Sequence, residues 1–321
     1  MGFALKIRYY VVFPSLIMLV VAFQPAQAQQ LAFKKARLGS QTQFEYRWKD
    51  IDNNSQTLKF SLENKALFSR FRNFKAYQVA TVQRTILVGL KKATAKLDPK
   101  EVNVTFINRY NDIEIKVTGT DTKQLDRVIT GLNQIRDKIQ GQFLSKNYYN
   151  LLTDKFGQAG AKPDHVRFVN ESLVDMQPIA TAILSQKANL KGRQLTEYVL
   201  GFVQSIPYST LESRLESNGA GFSPPLRLLS NNQGDCDSKV TLMAALLGAI
   251  YPNNKTVIIY LPEHALIGVQ MGHRNADKIV KLEGRTYILA EPTGPAMIPL
   301  AEIAKSSEFF IDGQQFSHEI F

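Results

Sequence analysis

A single cysteine, Cys236, is the residue in this sequence best suited to covalent chemistry. It lies in residues 233–239 (QGDCDSK), directly before an apolar run that begins at Val240. Gly234 allows a sharp turn there, which predicts that the thiol lies at or within the first turn of a helix. The unpaired amides and the positive dipole end of such a turn stabilise a thiolate, the nucleophilic form of cysteine.

One of the four histidines, His264, is the strongest candidate for a base. It follows an apolar strand predicted at Thr256–Leu261 and opens another, so an imidazole at this sheet margin can reach a helix N-terminus. Glu291 ends a further apolar strand and can fix the tautomer of the imidazole. The order Cys236, His264, Glu291, on a helix start and two strand edges, predicts a nucleophile, a base and an orienting acid.

Two carboxylates, Asp235 and Asp237, flank the thiol and oppose its ionisation, so the thiolate needs a nearby imidazolium. They are also candidate calcium ligands, but two carboxylates are too few for a site that needs about six to eight oxygens. The preferred interpretation is that Asp235 caps the helix and Asp237 supplies a favourable first-turn charge. No cofactor is expected to be required, and calcium is expected to be optional.

These segments resemble those of the bacterial transglutaminase-like cysteine proteinases, over a region of about residues 195–299. The matching pieces are residues 202–208 (FVQSIPY), 234–239 (GDCDSK), 261–265 (LPEHA) and 291–295 (EPTGP). The resemblance implies a papain-like core that acts on amide bonds. It implies Cys236 as nucleophile, His264 as general base and then acid, and Glu291 as the orienting group.

Two positions qualify this resemblance. Many members of the wider superfamily have Asp where this chain has Glu291. Gln204 stands in the stretch from which related thiol enzymes draw an oxyanion donor, and an exposed helical glutamine is the alternative interpretation. The backbone amide of Cys236 is the safer oxyanion donor. Some periplasmic relatives that release surface adhesins have acidic residues beside the cysteine and depend on calcium.

The elements that must position these residues predict an α+β protein in two parts. Residues 29–150 follow the order β-β-α-β-β-α, which predicts a small α/β domain whose helices cover one face of an antiparallel sheet. Structural support is its expected role, with targeting, substrate docking or inhibition as alternatives. Residues 148–163 are interpreted as a linker, and residues 151–321 as the transglutaminase-like catalytic domain.

The first 28 residues have the features of a cleaved secretory signal. Lys6 and Arg8 give a basic start, residues 11–23 are apolar, and residues 26–28 (AQA) supply the small residues that a signal peptidase reads. An uncleaved N-terminal anchor is the alternative. No other stretch is long and apolar enough to span a bilayer, so we expect a periplasmic or secreted protein without stable membrane insertion. A lone thiol in an oxidising compartment needs a chemical reason.

The formal net charge of +11 is interpreted as favouring general solubility, because no dense Lys/Arg run stands out. Nucleic acid is not an expected partner, since the chain has no recognisable binding motif. The expected partner is a protein substrate in the envelope or at the cell surface, whose peptide bonds are hydrolysed. The alternatives are an inactive binding or scaffold protein of the same fold and a transglutaminase that cross-links envelope proteins. The sequence identifies no regulator.

Overall fold

The computed structural model describes residues 29–109, 112–153, 159–212, 220–262 and 264–321. The signal sequence predicted at residues 1–28 lies outside these ranges. Within them the chain forms eight helices and twelve strands, and every pairing between named strands is antiparallel, so the predicted α+β class is confirmed. None of the helices in the described part is both long and apolar enough to cross a membrane.

The strands are β1 (Gln30–Leu38), β2 (Gln41–Lys49), β3 (Ser55–Glu63), β4 (Val102–Arg109), β5 (Asp112–Gly119), β6 (Tyr149–Thr153), β7 (Ala159–Pro163), β8 (Thr256–Leu261), β9 (His264–Val269), β10 (Ile279–Leu282), β11 (Arg285–Ala290) and β12 (Ser317–Ile320). The helices are α1 (Asn64–Ser69), α2 (Val79–Thr94), α3 (Thr122–Lys146), α4 (His165–Gln186), α5 (Gly192–Ser205), α6 (Pro225–Asn231), α7 (Cys236–Ile250) and α8 (Lys305–Asp312).

The first sheet, β1-β2-β3, buries one face against the later helices. Side chains alternate across a strand, and in β2 the buried positions include Phe44, Tyr46 and Trp48. Two of these rings pack against α5: the Tyr46 ring meets Phe202 edge-on at 5.0 Å, and the Trp48 ring lies 5.6 Å from Phe202. The first sheet therefore shares the largest hydrophobic core of the described residues with α4, α5 and α7.

The second hairpin, β4-β5, forms a separate two-stranded sheet. Helices α2 and α3 pack with it around a small cluster of their own, centred on Val82, Ile86, Leu90 and Leu132. The prediction of a single antiparallel sheet for residues 29–150 is therefore wrong. The apolar face of the first sheet is covered by α4 and α5 rather than by α2 and α3, so the boundary expected near residue 150 does not separate two cores.

Residues 148–163, for which the sequence predicts a linker, contain the hairpin β6-β7. This hairpin is anchored by an aromatic cluster, because the Tyr149 ring packs against Phe74 at 5.3 Å and Phe74 packs in turn against Phe168 of α4 at 5.0 Å. The hairpin thus contacts α3 and is linked to α4 through Phe74, instead of connecting two independent parts.

The C-terminal half is a five-stranded sheet, in the order β10-β11-β9-β8-β12, with α7 packed against it. Helix α7 is apolar on all sides after its first turn, and such a helix is stable only when it is buried. In the antiparallel register Ala290 pairs with Ile267 and Leu261 pairs with His264. The start of β9 and the end of β11 therefore lie side by side, at the same end of these two strands.

Candidate active site

The cysteine opens α7, as the sequence predicts. Cys236 is the first residue of the helix, and the Asp235 carboxylate accepts a hydrogen bond of 3.0 Å from the backbone N–H of Ser238. The predicted N-terminal cap is therefore confirmed. Gly234 lies just before it, and a Cβ there would lie 2.6 Å from a methyl group of Leu228, so any larger residue would force the Leu228 side chain to move.

His264 and Glu291 meet at the sheet edge. The Nε2 atom of His264 lies 2.9 Å from Oε1 of Glu291, and Oε2 of Glu291 accepts from the backbone N–H of Ala304 at 2.9 Å. Burial raises the pKa of Glu291, but the bonds from His264 and Ala304 outweigh it and leave the pKa below its ordinary value. An ionised carboxylate only accepts hydrogen bonds, so Nε2 carries the hydrogen and Nδ1 of the neutral imidazole keeps its lone pair.

The thiol of Cys236 is half-buried, and its Sγ lies 3.7 Å from Oδ1 of Asp237. Burial, followed by the charges of Asp237 and Asp235, raises the pKa of this thiol to about 12. This direction is opposite to the thiolate expected from the sequence, because burial and the two carboxylates outweigh the helix N-terminus. Among the described residues no hydrogen bond joins Sγ to His264.

Asp237 lies within electrostatic range of both the thiol and the imidazole of His264. Burial raises the pKa of Asp237, and the charge of His264 acts in the opposite direction. Burial also raises the pKa of Asp235, to about 7, and the neighbouring Asp237 adds to this rise. Both flanking carboxyl groups are therefore easier to protonate than ordinary aspartates.

Gln204 is buried, contrary to the alternative of an exposed helical glutamine. Its Nε2 donates to the backbone carbonyls of Glu291 at 3.0 Å and Ile298 at 2.8 Å. Both amide hydrogens are thereby used, so in this arrangement Gln204 holds the end of β11 instead of offering a donor to an oxyanion. The backbone of Gly294, at φ +59°, also approaches that of Gln204 closely. A side chain at position 294 would clash, because its Cβ would lie 2.2 Å from the backbone carbonyl oxygen of Gln204.

Lys239 is a site residue that the sequence analysis did not identify. It lies fully buried one turn after Cys236, and its ammonium group donates to the backbone carbonyls of Ile206 and Thr293. Burial lowers its pKa to about 7. A lysine directly before a long apolar run could have indicated a buried ammonium group, since such a charge is buried only where acceptors are provided for it.

A second histidine, on α4, also lies close to the site. His165 opens α4, is only 1% exposed, and has its Nε2 3.8 Å from Oδ2 of Asp237. Its Nδ1 lies 2.8 Å from the hydroxyl of Tyr260 on β8. No local pattern revealed this histidine, because its partners are distant in the sequence.

The candidate calcium ligands, Asp235 and Asp237, are engaged in other contacts: the first caps α7 and the second faces the thiol and His165. In the described ranges, no three His, Cys, Asp or Glu side chains form a group suited to a metal ion. Calcium binding thus stays a prediction.

A cavity of about 510 Å³ lies between the first sheet, α5 and residues 297–300. Gln204 contributes to its wall, whereas Cys236, His264 and Glu291 are not among the described residues that line it. The chemistry predicted from the sequence is therefore at the α7 N-terminus, outside this cavity.

Comparison of the chain with protein-family models, with curated proteins and with solved structures finds no match. A function must therefore be inferred from the chemistry of the site.

Proposed function

We propose that the protein is a cysteine hydrolase of peptide bonds in which Cys236 is the nucleophile, His264 the base and Glu291 the orienting acid. The observation that carries this proposal is the 2.9 Å hydrogen bond between His264 Nε2 and Glu291 Oε1. This bond leaves Nδ1 of His264 as the basic atom. His264 begins β9, which pairs with β8 and β11, and α7 packs against the same sheet.

In the proposed reaction, Nδ1 of His264 accepts the proton of the Cys236 thiol while the sulfur attacks the carbonyl carbon of the substrate. The S–C bond forms, and the carbonyl oxygen becomes an oxyanion that the backbone N–H at the start of α7 stabilises. The imidazolium then gives its proton to the leaving amine as the C–N bond breaks. Water, deprotonated by His264, then attacks the thioester carbonyl; the S–C bond breaks, the acid is released, and the proton passes from His264 to the departing sulfur. Glu291 stays ionised throughout.

The raised pKa of the thiol decides how its proton leaves. Because burial raises the pKa of the thiol, we take the resting nucleophile to be the thiol and not a thiolate. Proton transfer to His264 therefore accompanies the attack on the substrate, as general-base catalysis, in place of the ion pair expected from the sequence.

The fold class and the site support the resemblance to transglutaminase-like cysteine proteinases. A nucleophile at the start of a buried helix, with the base and the acid on two neighbouring antiparallel strands, is the arrangement expected of a papain-like core. We extend the proposal to proteins of the envelope or cell surface as substrates and to a periplasmic or secreted location, on the basis of residues 1–28. Calcium is proposed to be optional.

A binding or scaffold protein of the same fold is the second candidate. The observation that favours it is the half-buried position of the thiol, which raises the pKa of the thiol, because a thiol is unreactive unless a base removes its proton during the reaction.

The test is incubation of an envelope-protein fraction with the wild type and with Cys236→Ala, followed by mass spectrometry of the products. New amino termini with the wild type alone support hydrolysis, whereas Cys236-dependent attachment of an added amine without cleavage supports transfer. A folded wild type that yields neither product overturns the hydrolase and favours the scaffold. Cys236→Ser is the matched control, because it keeps a small hydroxyl and removes the thiol.

A further inference from the structure

The cavity beside α5 has two polar groups on its inner wall that lack partners. Trp48 is 1% exposed and Gln204 is 2% exposed, and both line the cavity. The indole N–H of Trp48 and Oε1 of Gln204 form no hydrogen bond with the described residues, and neither atom is sealed from the cavity. A donor or acceptor without a partner in such a place costs free energy, so a ligand that supplies both partners is favoured.

Gly201 leaves the backbone of α5 bare beside these groups. It precedes Gln204 by three residues, so the two positions share one face of the helix. A Cβ at position 201 would lie 3.5 Å from Nε1 of Trp48 and 3.3 Å from the terminal methyl group of Met297. An alanine would therefore fill the space beside the indole nitrogen, which the glycine leaves to the cavity.

The outer rim of the cavity carries more acidic than basic groups. Among the described residues that line it, Asp50, Asp52 and Glu197 are acidic and Lys187 is basic. The Lys187 ammonium is already engaged, because it donates to Oε1 of Gln56 at 2.8 Å. The rim therefore presents a negative charge to a ligand.

Glu197 forms no salt bridge within the described part of the chain. Burial raises its pKa, the charges of Arg193 and Arg274 lower it, and the charge of Asp52 raises it again. Arg193 is itself paired with Asp277. A cationic group of a ligand between Asp52 and Glu197 would reduce the repulsion between the two carboxylates, so the rim favours a basic ligand.

We propose that this cavity is a second binding site for the polypeptide substrate, apart from the triad. Peptide groups of the substrate accept from the indole N–H of Trp48 and donate to Oε1 of Gln204, and a lysine or arginine side chain lies at the acidic rim. An indole N–H only donates and an amide oxygen only accepts, so the ligand must offer both kinds of group, as every peptide group does. The choice of a polypeptide as ligand rests on the proposed function.

Gln204 connects this site to the triad. Its Oε1 is open to the cavity, whereas its Nε2 donates to the backbone carbonyl of Glu291 at 3.0 Å. A substrate held in the cavity therefore lies beside the end of β11 that carries the orienting acid.

The test measures the binding of two blocked dipeptides, acetyl-leucyl-lysine amide and acetyl-leucyl-glutamate amide, by titration calorimetry. The protein is the chain of residues 29–321 with Cys236→Ala, which prevents turnover. We expect the lysine peptide to bind at least about fivefold more tightly, because the rim is acidic. Glu197→Gln should reduce this preference by about twofold to fivefold, as for the loss of an exposed ion pair. Equal affinities for the two peptides would overturn the proposal.

Gly201→Ala, made in the same background, tests the inner wall. Alanine is favoured over glycine in a helix, and the flexible end of Met297 can move, so we expect the fold to be kept. The affinity for the lysine peptide should fall at least about tenfold, because the Cβ occupies the space beside the indole nitrogen. Gly131→Ala in α3 is the matched control, since a Cβ there meets no atom within 4 Å. An unchanged affinity in Gly201→Ala, or an equal loss in the control, would overturn the proposal.

The indole resonance of Trp48 gives a measurement that requires no substitution in the cavity. The chain has one tryptophan, so its ¹H–¹⁵N spectrum contains one indole cross-peak. We expect the indole proton to move downfield as the lysine peptide binds, because a carbonyl oxygen then accepts from it. An unmoved cross-peak at millimolar peptide would overturn the proposal.

Failure of the second site and failure of the hydrolase can be distinguished. Peptide binding in the cavity without Cys236-dependent cleavage of envelope proteins would reject the hydrolase alone. Cys236-dependent cleavage with the same KM in Gly201→Ala and in the wild type would reject only the second site.

Discussion

At the scale of single residues, the reactivity of Cys236 depends on opposing effects within a few ångströms. The helix N-terminus favours a thiolate, whereas burial and the neighbouring acids Asp237 and Asp235 raise the thiol pKa to about 12. In the proposed mechanism the proton must therefore leave the thiol during the reaction, so the base must be present and correctly oriented.

Removal of the nucleophile or of the base is expected to abolish turnover without unfolding the protein. Neither Cys236→Ala nor His264→Ala leaves a large cavity, because both side chains are partly exposed. The measurement is initial-rate kinetics on a peptide substrate, with circular dichroism to verify the fold. Near-normal activity in either folded variant would contradict the proposed mechanism.

Glu291→Gln is expected to lower kcat by about 10²- to 10⁴-fold, less than removal of the thiol, since the nucleophile and the base remain. A neutral amide no longer compensates the imidazolium that forms in the reaction. Single-turnover kinetics measure the effect. Wild-type kcat in the Glu291→Gln variant would show that another group orients His264.

The same carboxylate makes stability depend on pH. The pKa of Glu291 is lower in the folded protein than in the unfolded chain, because the bonds from His264 and Ala304 outweigh burial. Its contribution is therefore present above the unfolded pKa of about 4.3 and is lost as the pH falls through the folded value. We expect the melting temperature to fall on acidification less steeply in Glu291→Gln than in the wild type, and equal slopes would contradict this.

At the scale of elements, Gln204 joins α5 to the segment that follows β11. If it only holds the carbonyls of Glu291 and Ile298, Gln204→Ala should lower the free energy of unfolding by about 1–3 kcal/mol, because two carbonyls lose their donor. Urea unfolding measures this change. A fall in kcat with unchanged stability would instead identify Gln204 as an oxyanion donor.

The strands and the helix that carry the triad could be predicted because each has a strong local pattern: α7 and β8 to β11 are short, apolar and bounded by turns. Helix α4 was more difficult. Pro178 suggests a helix start, whereas in the structure it lies inside α4, which begins at His165. The carbonyl that loses its donor belongs to Val174, which is 65% exposed, so solvent can replace the missing bond.

The residues that the sequence did not reveal are those whose roles depend on distant partners. Lys239 bonds Ile206 and Thr293, and His165 bonds Tyr260, across separations that no local pattern records. The hydrogen bond of His264 to Glu291, by contrast, could be anticipated, because both lie at ends of predicted strands that share a margin.

At the scale of the whole molecule, the first sheet is part of the core that supports the site. Phe44, Tyr46 and Trp48 are almost completely buried, and they pack in the core that also contains α5 and α7. Neighbours in the sequence are therefore not always neighbours in the core. Residues 30–63 pack with residues 165–301, whereas α2, α3, β4 and β5, which lie between them in the sequence, form a separate cluster.

A fragment of residues 151–321 is consequently expected not to fold by itself, although it contains the whole proposed triad. It would expose the faces of α4 and α5 that the first sheet covers. The loss of Trp48 alone, as Trp48→Ala in the full chain, should cost about 3–5 kcal/mol. Near-ultraviolet circular dichroism and urea unfolding test the fragment against residues 29–321. Cooperative unfolding of the fragment would contradict this view of the core.

Trp48 is the only tryptophan in the chain, and it is buried where the first sheet meets α5, with its ring 5.3 Å from that of Tyr198. Its intrinsic fluorescence therefore reports on the contact between the first sheet and α5 without an added label. Emission should shift to longer wavelength when the sheet separates from α5 and water reaches the indole, even while far-ultraviolet signals from the helices persist. A urea titration that follows the emission maximum can thus show whether the sheet separates at a lower or a higher urea concentration than the one at which the proposed peptide cleavage is lost.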